Sequence, residues 1–202
     1  MKGKFALREL SEPLRRRVEL AVAVAQERLI STHVQHALRL VQMTGEELPF
    51  PNVLDIYVRV MRLSRVEART VTTRALASLG EGVERGEEWP EPPDDEEVEG
   101  GGGWRSLVQV LRDRLRGRVH DALRARIGFA AAKAEIALVE THAENALTFV
   151  ELLEKEMGAQ EAAELYIDTL NVRDGLAEVV YYFALARWSD RLAESAARRS
   201  VT

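Results

Sequence analysis

Residues 14–42, LRRRVELAVAVAQERLISTHVQHALRLVQ, decide the fold, because they recur as residues 123–151, LRARIGFAAAKAEIALVETHAENALTFVE. The same shift of 109 residues (123 − 14) aligns all of 14–79 with 123–188 without a gap. A spurious match over this length would usually need gaps, and self-similarity at a fixed spacing is typical of repeated structural units. The sequence therefore predicts a tandem duplication.

Each repeat has the hydrophobic pattern of amphipathic helices. Apolar residues recur at spacings of three and four through 14–42, which is the periodicity of a helix with one side facing a core. Gly45, Pro49 and Pro51 then predict a break before a second helix that begins near Val53. No stretch alternates in the way a strand does. We predict an all-α fold in which each repeat is a helical hairpin.

Two similar hairpins can bury their apolar faces most simply against each other, so the sequence favours a pseudo-twofold, four-helix-bundle-like domain. A break is expected within the second helix of each repeat. Ser64 and Glu67 fit a capping box, and Asp174 with Gly175 marks the equivalent place in the second repeat. The sequence leaves open whether the repeats pack within one chain or exchange between two.

The 202 residues divide into a first helical repeat over 1–79, a linker over 80–103 and a second repeat over 104–202, which begins with an extra amphipathic helix at 104–118. The linker holds ten acidic residues against one arginine, and seven of the thirteen glycines. Such a segment buries too little apolar surface to offset its ordering entropy. We predict a flexible, acidic, Gly-rich linker there.

Composition excludes several classes of protein. The chain has no cysteine, which rules out disulfides, thiolate metal sites and cysteine nucleophiles. No apolar run approaches the roughly 20 residues of a membrane span. Arginine outnumbers lysine 24 to 4, but acidic residues are interleaved with the arginines, which argues against a nucleic-acid surface. We expect a soluble protein of the cytoplasm that contacts neither membrane nor nucleic acid.

A Thr-His pair and a tyrosine occur at matching positions of both repeats. Each histidine lies on or beside the apolar stripe of its helix, where a buried imidazole needs a hydrogen-bond partner. The tyrosine on the following helix can supply that partner. The sequence therefore predicts a structural polar core of six residues, namely Thr32, His33, Tyr57, Thr141, His142 and Tyr166.

A metal site is the alternative interpretation of the same histidines. His33 and His142 would bind a transition metal near the pseudo-twofold axis with help from Glu135. A di-iron bundle needs a glutamate three residues before each histidine, whereas Ile30 and Val139 stand at those places. The pattern therefore departs from the known di-iron arrangement.

The second repeat also resembles the all-α nucleotide pyrophosphohydrolases of the MazG type over about 50 residues. In that family two helices carry carboxylates that hold magnesium against a triphosphate, and carboxylate oxygens suit this hard cation. The resemblance implies a catalytic magnesium site formed by Glu151, Glu154, Asp174 and Glu178. The family motif requires an acid where this chain has Gly175.

A third enzymatic pattern is the spacing of Arg28 and His33, which resembles the Arg-x4-His motif of helical HEPN-type ribonucleases. The second repeat has Ala137 in place of that arginine. The structural alternative is a surface arginine whose stem packs beside a core histidine.

No catalytic constellation is complete, so the favoured hypothesis is a non-enzymatic interaction or assembly subunit, a single-chain pseudo-dimer without a cofactor. It would bind a protein partner or a second copy of itself through the shared hairpin face or the extra helix at 104–118. The most aromatic stretch, VVYYFALARW at 179–188, is expected to lie mainly in the core, and any exposed part of it would be an interface.

Overall fold

A computed structural model describes residues 10–44, 47–79 and 121–199, of which 91% are helical. No strand occurs in this part of the chain, so the all-α prediction is confirmed. The six helices are α1 (Glu12–Thr44), α2 (Phe50–Met61), α3 (Arg65–Ser78), α4 (Asp121–Met157), α5 (Ala159–Thr169) and α6 (Asp174–Arg199).

Helices α1 and α4 contain the aligned stretches 14–42 and 123–151 and are the longest of the described helices, with 33 and 37 residues. Helix α1 carries Glu12 and Pro13 in its first turn, where a carboxylate favours the helix dipole and proline loses no hydrogen bond. Helix α4 stops before Gly158, whose φ of 83° is a left-handed conformation that glycine adopts without strain.

The break expected within the second helix of each predicted repeat occurs, so this segment forms two helices. Helix α2 ends at Met61, and the following residue, Arg62, adopts a left-handed conformation with φ of 51°. The Leu63 N–H then donates to the Val58 carbonyl at 3.1 Å, a bond that closes a helix C-terminus. Ser64 and Glu67 form a complete capping box at the start of α3. Local chemistry at three consecutive residues therefore interrupts the helix.

The break between α5 and α6 uses the same geometry. Asn171 is left-handed with φ of 47°, and the Val172 N–H donates to the Ile167 carbonyl at 3.0 Å. Asn171 and Val172 align with Arg62 and Leu63 of the first repeat. Each aligned segment is thus one long helix followed by two shorter ones, and the breaks expected near Ser64 and Asp174 are confirmed.

The chain divides into two compact units. The central unit is Ile30–Ile136, and the terminal unit combines Met1–Leu29 with Ala137–Thr202. The division falls inside α1 and inside α4, so each unit contains helical residues from both predicted repeats.

The core of the terminal unit joins α1 residues to α4, α5 and α6. Its fully buried members are mostly small or medium apolar side chains together with two aromatic ones, Phe149 and Tyr166. These two rings meet edge to face with centroids 5.1 Å apart, a favourable aromatic geometry. The α6 residues in this core are Val180 and Ala184, both at 0% exposure.

The central unit buries residues that align with members of the terminal core. Its least exposed side chains include Val53, Leu54, Val71 and Ala75, each exposed by 1% or less. Ile127 of α4 is exposed by only 1%. Helices α2, α3 and the first half of α4 therefore each turn an apolar side inward, as their periodicity predicts.

Two predictions fall outside the described residues, namely the acidic linker at 80–103 and the extra helix at 104–118. Among the helices that are described, none combines the length and the hydropathy that a membrane crossing requires.

Candidate interaction surface

A histidine–tyrosine pair lies inside the central unit. Tyr57 Oη is 3.0 Å from His33 Nδ1, and the two rings meet edge to face at 6.0 Å. Both residues are buried, with 7% of His33 and 2% of Tyr57 exposed. Burial raises the pKa of the Tyr57 phenol above its ordinary value, so the hydroxyl keeps its proton. Thr32 is half-buried beside this pair.

The terminal unit contains the same pair at the aligned positions. Tyr166 Oη lies 2.9 Å from His142 Nδ1, and the ring centroids are 6.1 Å apart. Burial raises the pKa of Tyr166, and a hydrogen bond with the Asn145 side chain partly offsets that rise. The Thr141 hydroxyl donates to the Ala137 carbonyl of its own helix at 2.8 Å, so it stabilises α4 locally.

The predicted polar core of six residues does not include a further buried polar position that the two aligned segments share. His36 and Asn145 occupy aligned positions, and both are buried. Asn145 accepts a hydrogen bond from Arg28 Nη1 at 3.3 Å and donates to the Ala25 carbonyl at 3.4 Å. The signal was available, because both positions carry a polar side chain on the buried side of a helix.

The candidate metal ligands do not form a cluster in the described part of the chain, where no group of three or more His, Asp or Glu side chains is arranged to hold a metal ion. His33 and His142 each direct Nδ1 at a tyrosine hydroxyl. Glu135 lies on an exposed side of α4.

Two of the four carboxylates suggested by the pyrophosphohydrolase resemblance bind α6 side chains. Glu154 Oε2 accepts a 2.6 Å hydrogen bond from Trp188 Nε1, and Glu151 forms an ion pair with Arg191. Glu178 is exposed on α6, and Asp174 is the first residue of that helix. Glu151 and Glu154 thus attach α6 to α4.

The two residues of the ribonuclease-like motif belong to different units. Arg28, in the terminal unit, donates to Asn145. His33, in the central unit, contacts Tyr57.

Helix α6 presents an apolar, aromatic stripe to the exterior of the terminal unit. Val179, Tyr182 and Phe183 are 40%, 61% and 49% exposed, and Ala186 continues the same side one turn later. Residues at these spacings of three and four share one face of a helix. We call Val179, Tyr182, Phe183 and Ala186 the α6 stripe. Solvent-exposed aromatic side chains grouped in this way mark binding surfaces in soluble proteins.

The aligned face of α3 is polar. Thr70, Thr73 and Arg74 stand where α6 has Val179, Tyr182 and Phe183. Thr73 and Arg74 are exposed, as are the α6 aromatics. A need for burial in the core cannot explain why these α6 residues are apolar, since the aligned positions of α3 carry threonine and arginine. The apolar character of the α6 stripe therefore needs another explanation.

The aromatic stretch 179–188 is thus divided between two environments. Val180 and Ala184 are buried, and Tyr181, Leu185 and Trp188 pack against the core of the terminal unit. The remaining aromatic residues, Tyr182 and Phe183, face outward. Aligning α6 with α3 is the sequence signal that could have separated these two groups in advance.

A groove lies between the α1 and α4 segments of the terminal unit. Its volume is about 320 Å³, and Leu20, Ala21, Val24 and Leu152 form most of its apolar wall. Arg17 and Arg28 stand at its two ends, and Asn145 and Thr148 complete the lining.

Comparison of the chain with protein-family models, with curated proteins and with solved structures found no match.

Proposed function

We propose that this chain is a non-enzymatic interaction or assembly subunit that binds a protein through the α6 stripe. The observation that carries the proposal is the exposed pair Tyr182 and Phe183, which the aligned helix α3 replaces with Thr73 and Arg74. Exposed aromatic side chains cost solubility unless a partner covers them, and tyrosine is enriched in such interfaces.

The attachment of α6 supports this role. Trp188 and Arg191 bind Glu154 and Glu151 on α4, while Arg187 forms an ion pair with Glu144 at 3.4 Å. These bonds lie along one side of α6 and leave the α6 stripe facing outward. A rigid, pre-organised helix loses little conformational freedom on binding, which favours affinity.

The proposal includes an internal duplication with pseudo-twofold symmetry, a bundle-like arrangement and a cytoplasmic location. Aligned residues support the duplication, because each repeat has a His–Tyr pair with nearly the same separation and a left-handed residue at the same helix break. The absence of cysteine suits a reducing compartment. In this proposal one repeat kept a polar α3 surface and the other acquired a binding surface.

The test compares the wild-type chain with the double variant Tyr182→Thr/Phe183→Arg, which carries the α3 residues. Native mass and affinity co-purification from cells of the source organism are measured for both. We expect the wild-type protein to self-associate or to retain a protein partner, and the variant to lose that association without a change in melting temperature.

The matched control is Val66→Ser, because Val66 is 77% exposed but stands outside the α6 stripe. This variant should keep the association. The proposal is wrong if the wild-type chain shows neither self-association nor a partner, or if the double variant binds as well as the wild type.

A further inference from the structure

The groove between α1 and α4 offers a second surface with a chemistry different from that of the α6 stripe. We infer that it binds an amphipathic helix of another protein whose apolar side is flanked by two acidic residues. The proposal goes beyond the α6 interaction, because the two surfaces share no residue and can be tested separately.

The apolar residues of the groove lie on two helices, α1 and α4. Leu20 and Val24 lie one turn apart on α1 and are 67% and 44% exposed. Leu152 faces them from α4 and is half-buried. An amphipathic helix that lies in such a groove inserts apolar residues at spacings of three, four and seven.

The charge of the groove selects the partner. Among the described residues that line it, the two charged ones are arginines and none is acidic. Arg17 and Arg28 are 11 positions apart (28 − 17), which is about 16.5 Å along a helix at 1.5 Å per residue. Because 11 residues make about three turns, two glutamates with the same spacing on a partner helix would face the two guanidinium groups together.

The central unit supplies an internal comparison, because its aligned residues have a different chemistry. Arg126 aligns with Arg17 but donates to the Met43 carbonyl at 3.0 Å and forms an ion pair with Glu47. Lys133 aligns with Val24, and its Nζ atom lies 4.7 Å from the centroid of the Phe129 ring. The apolar wall with an arginine at each end is therefore a property of the terminal unit.

A synthetic peptide tests the inference with the full-length protein. The probe is a fluorescent helix of about 18 residues, with two glutamates 11 positions apart and leucines on the same face between them. The matched peptide has lysines in place of the glutamates. We expect fluorescence anisotropy to show roughly tenfold tighter binding of the glutamate peptide, a preference that weakens with added salt.

Reversing the charge of an arginine in the groove should weaken the preference for the glutamate peptide over the lysine peptide. Arg17→Glu should remove most of it, whereas Arg16→Glu, the same change on a neighbouring exposed residue that pairs with Glu12, should leave it intact. Arg28→Ala, the residue found at aligned position 137, provides a second variant if Arg17→Glu lowers the melting temperature. The double variant Tyr182→Thr/Phe183→Arg should bind the glutamate peptide like the wild type, so failure of one proposal does not imply failure of the other.

Three results would overturn the inference. The first is equal binding of the two peptides by the wild-type protein. The second is a homodimer that Arg17→Glu dissociates, which would make a second copy of the chain the occupant. The third is displacement of the peptide by dodecanoate that binds about as tightly as the peptide itself. That result would indicate a site for a small anionic amphiphile.

Discussion

Tyr57 Oη lies 3.0 Å from His33 Nδ1, and this hydrogen bond connects α1 to α2 across 24 residues of chain. The bond between Tyr166 and His142 spans the same 24 residues and is 2.9 Å long. A tyrosine that is buried to 2% or 0% exposure needs a partner for its hydroxyl, and in both cases the histidine provides it.

Removing either tyrosine hydroxyl should destabilise the protein. Tyr57→Phe and Tyr166→Phe each leave a histidine nitrogen without its bond, so we expect the free energy of unfolding to fall by about 1 kcal/mol per substitution. Urea unfolding followed by circular dichroism measures this. Tyr182→Phe is the matched control, because that hydroxyl belongs to a side chain that is 61% exposed. Unchanged midpoints for both buried variants would contradict the structural role of the pairs.

Stability should depend on pH through His36. Burial, together with the nearby Arg39 guanidinium, lowers the pKa of His36 below its usual 6.5. Between the lowered pKa and 6.5 the unfolded state binds more protons than the folded state, so the free energy of unfolding rises with pH in that window and falls on acidification.

His36→Asn is the variant that tests this dependence, since asparagine stands at aligned position 145 and does not titrate. Urea midpoints measured between about pH 5 and pH 8 should rise less steeply with pH in this variant than in the wild type. Gln35→Asn, on an exposed neighbour, should keep the wild-type slope. Equal slopes of urea midpoint against pH for His36→Asn and the wild type would show that His36 does not contribute to the pH dependence of stability.

The chain should not release pyrophosphate from nucleoside triphosphates in the presence of magnesium. Glu154 and Glu151 bind Trp188 and Arg191, so a magnesium ion would have to compete with a hydrogen bond and an ion pair for those oxygens. A panel of the common nucleotides with a pyrophosphate assay measures the activity. Pyrophosphate release by the wild-type chain that is lost in the Glu178→Gln variant would instead establish a pyrophosphohydrolase activity.

Protein purified without added metal or chelator should contain no stoichiometric transition metal. The Nδ1 atoms of His33 and His142 already contact tyrosine hydroxyls, and Glu135 is exposed. Elemental analysis alongside the native mass tests this expectation. About one equivalent of iron, manganese or zinc, lost in His33→Gln/His142→Gln, would make the histidines metal ligands.

The helices and their ends were largely predictable, because local chemistry sets them. Gly45 predicts a break after the first helix, and that helix ends at Thr44, while the capping box at Ser64 and Glu67 forms as its spacing predicts. The recurrence of His33 and Tyr57 as His142 and Tyr166 was also visible in the sequence.

The sequence by itself determined that the described residues are helical, where most of their helices end and which positions of 14–79 align with 123–188. The tertiary structure decided which side chains are exposed together on the candidate surfaces. Periodicity groups Tyr182 with Phe183 and Val180 with Ala184, but periodicity does not say which group is buried, and the packing of α6 buries Val180 and Ala184. The bond between Arg28 and Asn145 joins residues 117 positions apart, and helical spacing carries no information about such pairs because it repeats every few residues.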